Sequence, residues 1–202
     1  MRSNNTDIAA SYLMADQTLY EQNVRHAQDS AFVNFSDNQQ QINGNTFGGA
    51  GYFAETHHAA SYNVNQANQS GGDVADLVNS REFGSVDIQT ASGMAFNPKY
   101  FSTPEQSYAA GAELIYDDNG EMVAKYSGQQ IIVPSDQLAQ IQQLHQYQIE
   151  QAQASGQLEQ VEALNQISFT DRMMDVNGMS SNPFKLCRST TGNKRVPSRY
   201  DT

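Results

Sequence analysis

Two short apolar runs joined by a tight turn restrict most strongly how this chain can fold. The runs are "SVDIQT" and "MAFNPKYF", and the triplet Ala91-Ser92-Gly93 separates them. Runs of this length, bounded by small residues and glycine, are typical of adjacent antiparallel strands. The pattern therefore predicts a hairpin. Pro98 has no backbone N–H, which predicts an edge position or a bulge in the second strand.

Segments with helical spacing surround this hairpin. Residues 52–70 place apolar side chains on one helical face, and two glycines end the pattern. Residues 103–116 begin with Thr103 as a capping residue and Pro104 at the first helical position. Residues 135–154 and 156–166 read as two more helices after the short strand "QQIIVP". This order predicts an α/β (α+β) domain, in which helices flank a small mixed sheet.

The chain of 202 residues divides by composition into three parts. Residues 1–47 are polar with a weak helical pattern, which predicts a helical N-terminal arm. Residues 48–170 hold the ordered pattern and form the predicted α/β domain. Residues 171–202 lack periodicity and are rich in Lys and Arg, which predicts a flexible basic C-terminal tail.

The formal net charge is −11, from 22 acidic and 11 basic residues. An acidic surface repels phosphate backbones, so general electrostatic binding to nucleic acid is disfavoured. The single cysteine, Cys187, excludes an internal disulfide framework and a cysteine-rich zinc site. The sequence shows no signal-peptide pattern and no long apolar run, so we expect a cytoplasmic protein without a membrane partner.

Four residues form a candidate catalytic constellation. Glu55 lies on the predicted first helix, Asp87 on the first hairpin strand, and Asn97 and Lys99 on the second. Asn97 and Lys99 share one face because side chains alternate along a strand. Carboxylates can hold a hard divalent cation, which polarises a phosphodiester and activates a water. A neighbouring lysine stabilises developing negative charge.

This pattern resembles the PD-(D/E)xK superfamily, the restriction-endonuclease-like nucleases. The resemblance covers roughly residues 50–155. Glu55 in "YFAETHHAASYN" matches the acid of the family's first helix, Asp87 matches its strand acid, and Asn97-Pro98-Lys99 takes the place of (D/E/Q)xK. The resemblance implies a restriction-endonuclease-like core, Mg²⁺ held by Glu55 and Asp87, and cleavage of DNA in a bacterial or phage-like element. Asn97 departs from the family pattern, so a catalytically degenerate site is the corresponding alternative.

Simpler structural explanations exist for the same residues. Asp87 and Lys99 can form a plain ion pair, and Glu55 can be a solvated acid on a helix surface. His57 and His58 follow Glu55 closely, but adjacent helical residues point about 100° apart, so both cannot easily serve one ion. We therefore expect these histidines to pack, with His58 within reach of Glu55 for a hydrogen bond.

A different class of function is also compatible with the sequence. The acidity, Asn97 and the glutamine-rich helix at 135–154 fit a non-catalytic acidic interaction protein. Such a protein would be a virion or assembly component, or a phosphate-mimicking inhibitor that binds a basic nucleic-acid-handling protein. The same helix offers a surface for a homo-oligomer.

Overall fold

The computed structural model describes residues 17–30, 49–69, 72–78 and 84–186, together with positions 14, 32, 33, 36, 80 and 82. Its helices are α1 (17–30), α2 (Gly49–Asn68), α3 (Pro104–Gly111), α4 (Leu138–Ala154) and α5 (Leu158–Asn165). Its strands are β1 (Ala75–Leu77), β2 (Ile88–Thr90), β3 (Ala95–Pro98), β4 (Leu114–Tyr116), β5 (Met122–Ala124), β6 (Gln129–Ile132) and β7 (Ser168–Thr170).

The main sheet has five strands in the order β1-β2-β3-β6-β7. Strands β1, β2 and β3 form an antiparallel meander, whereas β6 is parallel to β3 and β7 is parallel to β6. Strands β4 and β5 form a separate hairpin between α3 and β6. The fold is therefore a mixed sheet flanked by helices, as the order of sequence patterns predicted.

Helices cover both faces of the main sheet. Tyr62 of α2 packs with Ile88, Phe96 and Ile132 of the sheet in one buried cluster. On the opposite face, Ile131 packs in a second cluster, whose other members come from α3, α4, β7 and nearby loops: Tyr108, Ala112, Tyr126, Val133, Leu138, Ile141, Ile167 and Phe169. Because Ile131 and Ile132 are neighbours in β6, strand alternation sends them to opposite faces. The sheet is buried on both sides.

Helix α3 begins as predicted but ends earlier. The Thr103 side chain accepts a hydrogen bond from the Gln106 backbone N–H, and Pro104 occupies the first turn. A Cβ added at Gly111 would lie 2.7 Å from Ile131 Cγ2 and 2.8 Å from Phe169 Cε1, so glycine allows the helix end to touch the sheet. The residues predicted to continue the helix instead form β4, since the chain turns back at this contact.

The predicted edge position of Pro98 is wrong. Strand β3 lies between β2 and β6, in the interior of the sheet. Pro98 is its last residue and pairs with Ile132, and the next residue, Lys99, donates its backbone N–H to the Ile132 carbonyl at 2.7 Å. The missing donor of Pro98 is tolerated because the ladder ends there.

The predicted tail begins too early. Residues 171–186 pack against α2, with Met173 and Ser181 fully buried. The Asn65 amide donates to the Ser180 carbonyl at 2.7 Å, and the Phe184 ring stacks on Tyr100 at 4.7 Å. The sequence of this segment shows no helical or strand periodicity, because many of its hydrogen bonds and packing contacts are made with α2 and not within a regular element of its own. Residues 187–202, including Cys187, lie outside the described residues.

The predicted N-terminal arm is described over α1, whose residues are mostly exposed. The Tyr20 hydroxyl donates to Asn68 Oδ1 at 3.2 Å, which is a contact between α1 and the end of α2. Among the described helices, none combines the length and the apolar character needed to cross a membrane.

Candidate functional site

Strand pairing places Asp87 and Asn97 beside each other. Ile88 pairs with Phe96 across the antiparallel β2–β3 ladder, and the Asp87 N–H donates to the Phe96 carbonyl at 3.3 Å. Because Ile88 and Phe96 point towards α2, strand alternation directs Asn97 to the opposite face, whereas Asp87 lies just before the first residue of β2, at the end of the strand pair. Lys99, two residues after Asn97, follows the same alternation.

Lys99 is held between an amide, a carboxylate and an aromatic ring. Its Nζ donates a hydrogen bond to Asn97 Oδ1 and lies 3.8 Å from Asp87 Oδ2. The same ammonium lies 4.4 Å from the centre of the Tyr126 ring, within the range of a cation–π interaction. The Asp87–Lys99 ion pair anticipated from the sequence is therefore present, although 3.8 Å is too long for a hydrogen bond.

Asn97 is buried and its amide is fully used. Its Nδ2 donates to the Ser85 carbonyl at 2.9 Å and to Gln129 Oε1 at 3.1 Å. Gln129 in turn donates its own amide to the Gly84 carbonyl at 2.8 Å. Sequence reasoning missed Ser85, Gln129 and Tyr126. Only the parallel register of β6 against β3 brings Gln129 near Asn97, and no local pattern encodes that register.

Glu55 reaches this region from the N-terminal half of α2. Burial, and to a smaller extent the negative charge of Asp87, raise the pKa of Glu55 to about 7, while Lys99 opposes both effects. Burial also raises the pKa of Asp87, against the opposing charge of Lys99. No group in the described part of the chain donates a hydrogen bond to either side-chain carboxylate. The three charges predicted to converge are thus near enough to influence one another.

The histidines that follow Glu55 serve the packing of residues 181–184. His57 Nε2 lies 2.8 Å from the Asn182 carbonyl. His58 is fully buried, with Nδ1 2.8 Å from Ser181 Oγ and Nε2 2.8 Å from the Tyr100 hydroxyl. Burial, followed by the charge of His57, lowers the pKa of His58 to about 3, while Asp171 opposes this shift. The hydrogen bond expected between His58 and Glu55 is not formed, because Ser181 and Tyr100 occupy both ring nitrogens.

The donor set suits a hard cation that keeps part of its water shell. In the described ranges, no group of three or more His, Cys, Asp or Glu side chains is arranged to hold a metal ion. The site offers two carboxylates, Glu55 and Asp87, with the Asn97 Oδ1 oxygen on the side of Lys99. Mg²⁺ is commonly held by one or two carboxylates plus waters and substrate phosphate, so these residues fit it.

A separate cavity of about 400 Å³ lies between α1, α2 and β1, and its lining includes none of the four candidate residues. Some of its polar groups are already paired. Asn63 exchanges two hydrogen bonds with the Ala75 backbone, and Asp73 accepts from Ser92 and Tyr62.

No protein-family model, curated protein or solved structure matches this chain.

Proposed function

We propose that this chain is a nuclease-fold protein of a bacterial or phage-like element and cleaves DNA with Mg²⁺. The observation that carries the proposal is the convergence of Glu55, Asp87 and Lys99 from three separate elements. Both carboxyl pKa values are raised, and neither side chain accepts a hydrogen bond from the described residues. Acids kept partly buried without donors are typical of sites that bind an external cation.

The order of elements also supports the proposal. Helix α2 is followed by the antiparallel meander β1-β2-β3, then by α3, and then by β6 parallel to β3. This is the order that the resemblance to PD-(D/E)xK nucleases implies, with the β4–β5 hairpin as an addition between α3 and β6. In that arrangement, Asp87 and Lys99 stand at the same end of the central strand pair.

Each residue then has a chemical role. A bound divalent cation would polarise the scissile phosphodiester and lower the pKa of an attacking water. Glu55 and Asp87 supply the hard oxygen ligands, and their raised pKa values mean that cation binding displaces a proton from Glu55 near neutral pH. Lys99 places its ammonium beside the Asp87 carboxylate, where it can stabilise negative charge on the phosphate.

Cleavage assays on DNA test this function. Parent protein is incubated with supercoiled plasmid and with single- and double-stranded oligonucleotides, in Mg²⁺ or in EDTA. We expect Mg²⁺-dependent cleavage that increases as the pH passes through about 7, where Glu55 ionises. Asp87→Ala and Lys99→Ala should each lower the rate by roughly 10²- to 10³-fold, a range typical of removing one charge-stabilising group.

Matched controls come from charges outside the site. Asp118→Ala removes an exposed turn acid, and Lys185→Ala removes an exposed lysine from the C-terminal segment. Both variants should cleave like the parent. Equal cleavage by the parent, Asp87→Ala and Lys99→Ala would show that the proposed mechanism is wrong.

A non-catalytic acidic interaction protein is the second candidate function. It is favoured by the net charge of −11 and by Asn97, an uncharged residue in place of the family's usual acid or glutamine. In this case the protein would bind a basic nucleic-acid-handling partner through carboxylates that mimic phosphates. Capture of such a partner at low salt, with loss of capture as salt rises and no cleavage of any DNA form, would favour this candidate.

A further inference from the structure

A continuous series of hydrogen bonds leads from a backbone carbonyl to the Lys99 ammonium. Gln129 Nε2 donates to the Gly84 carbonyl at 2.8 Å, and Gln129 Oε1 accepts from Asn97 Nδ2 at 3.1 Å. Asn97 Oδ1 then accepts from Lys99 Nζ, which stands 3.8 Å from Asp87 Oδ2. Two side-chain amides thus connect β6 to the charged pair on the β2–β3 hairpin.

Backbone carbonyls fix the direction of both amides. If Asn97 rotated by 180°, its oxygen would face the Ser85 carbonyl and Gln129 Oε1, and its NH₂ group would face the Lys99 ammonium. If Gln129 rotated, its oxygen would face the Gly84 carbonyl. Either rotation sets acceptor against acceptor and donor against donor in a partly buried site, which is costly.

The same contacts explain why position 97 carries an amide here. Asn97 Nδ2 faces two oxygen acceptors, the Ser85 carbonyl and Gln129 Oε1. An ionised carboxylate at this position would present an oxygen to both and would lose two hydrogen bonds. The hydrogen-bonding groups of Asn97 and Gln129 are therefore complementary. Asn97 has a role of its own in this site and does not merely replace the acid or glutamine that the family usually has there.

We infer that Gln129 is a positioning residue, which holds Asn97 with its carbonyl oxygen towards Lys99 and so keeps the lysine beside Asp87. Its effect on cleavage rests on the proposed function, but its effect on Lys99 does not. Without Gln129, Asn97 keeps only the Ser85 carbonyl as a partner for its NH₂ group, so it rotates more readily and Lys99 loses its acceptor part of the time, although Asp87 and Tyr126 remain beside it. The lysine then spends more time exposed to solvent.

Site-resolved lysine acylation tests this inference on the full chain. The folded protein is treated with limiting N-hydroxysuccinimide acetate, and acetylation at each lysine is followed by mass spectrometry. Gln129→Met keeps the side-chain length but removes both hydrogen bonds. It should raise the acetylation rate of Lys99 several-fold and leave that of the exposed Lys185 unchanged. Gln129→Glu keeps an acceptor for Asn97 but sets an oxygen against the Gly84 carbonyl, so its Lys99 acetylation rate should lie between those of the parent and Gln129→Met.

The matched control is Gln130→Met on the same strand. Gln130 pairs with Phe96, whose side chain faces α2, so this variant changes the other face of the sheet. It should leave Lys99 acetylation at the parent rate. If Gln129→Met fails to fold by circular dichroism, Gln129→Asn serves the same purpose, because its shorter side chain cannot span from Gly84 to Asn97.

Cleavage kinetics separate failure of this inference from failure of the proposed function. If the parent cleaves DNA, Gln129→Met should lower kcat by roughly 10- to 100-fold, the usual effect of an outer partner of a catalytic site. Faster Lys99 acetylation in Gln129→Met without cleavage by the parent would support the positioning role and overturn the nuclease. Active parent protein with unchanged acetylation and kcat in Gln129→Met would overturn the positioning role alone.

Discussion

The two halves of α2 place carboxylates in opposite hydrogen-bonding environments. Towards its N-terminus, α2 brings Glu55 close to Asp87, and both acids lack hydrogen-bond donors within the described residues. Towards its C-terminus, Tyr62 and Gln66 meet Asp73 and Asp175, and both of these acids are surrounded by donors. One helix therefore supports two acid clusters with contrasting electrostatics.

Near the C-terminal end of α2, hydrogen-bond donors determine the electrostatics of the cluster formed by Asp73 and Asp175. Asp175 Oδ2 accepts from Gln66 at 2.8 Å and lies 3.2 Å from the Tyr62 hydroxyl, while Oδ1 accepts from the backbone of Asn177 and Met179. Burial alone would raise the pKa of Asp175, but these hydrogen bonds hold it below its ordinary value. Hydrogen-bond donors of the same chain satisfy the Asp175 carboxylate, and these bonds stabilise the fold.

Near the N-terminal end of α2, burial and the repulsion between like charges determine the pKa of Glu55, which lies close to Asp87. Glu55 is disfavoured as an anion at neutral pH, and the positive charge of Lys99 corrects this only in part. The ionised form of Glu55 lowers the stability of the folded protein unless a bound cation compensates its negative charge. The hydrogen bonds around Asp175 thus account for the Asp73–Asp175 cluster within the fold, whereas no comparable hydrogen bonds among the described residues stabilise the charges of Glu55 and Asp87.

Removing Asp175 should produce the largest change in stability. Asp175→Ala leaves the Gln66 amide and the Asn177 and Met179 N–H groups without their acceptor, so we expect a loss of about 3–4 kcal/mol in the free energy of unfolding at pH 7. Urea denaturation measures this, with Asp118→Ala as an exposed acid control that changes stability by less than about 0.5 kcal/mol. A loss as small as the control's would mean that the donors around Asp175 do not stabilise the fold.

Neutralising Glu55 should change stability in the opposite direction. The pKa of Glu55 is raised from 4.5 to about 7 on folding, so its ionisation costs stability as pH rises through this interval. Glu55→Gln should therefore match the parent below about pH 4.5 and be more stable by roughly 2–3 kcal/mol above pH 7. Unfolding curves at several pH values measure the difference. A variant that is less stable than the parent at pH 8 would contradict this account of the site.

Mg²⁺ should produce the smallest effect, and only at the Glu55–Asp87 cluster. At about ten times its Kd, the cation should stabilise the parent by about 1.4 kcal/mol. The gain should disappear in Asp87→Asn and persist in Asp175→Ala, because the second variant alters only the Asp73–Asp175 cluster. Denaturation with and without Mg²⁺ measures both. Equal stabilisation of the parent and Asp87→Asn would place cation binding elsewhere.

Much of the fold follows from short-range patterns in the sequence. The β2–β3 hairpin, the strand at β6 and the core of α2 were predicted from apolar spacing and glycine turns, and the structure confirms them. Strands β1 and β7 were not predicted, because each has three residues and no alternation long enough to detect. Strand β4 was hidden in an apparent continuation of α3, and β5 was not predicted.

The candidate site, like the fold, could be predicted only in part from the sequence. Residue types, the order of elements and the resemblance to PD-(D/E)xK nucleases led to the prediction of Glu55, Asp87 and Lys99 as site residues, and the structure places Lys99 Nζ 3.8 Å from Asp87 Oδ2. The tertiary structure alone decided that Gln129 fixes Asn97, that Ser181 and Tyr100 occupy His58, and that burial raises the pKa of Glu55. These properties arise from contacts between segments far apart in sequence, where register and burial are set by packing of the whole domain and not by any local pattern.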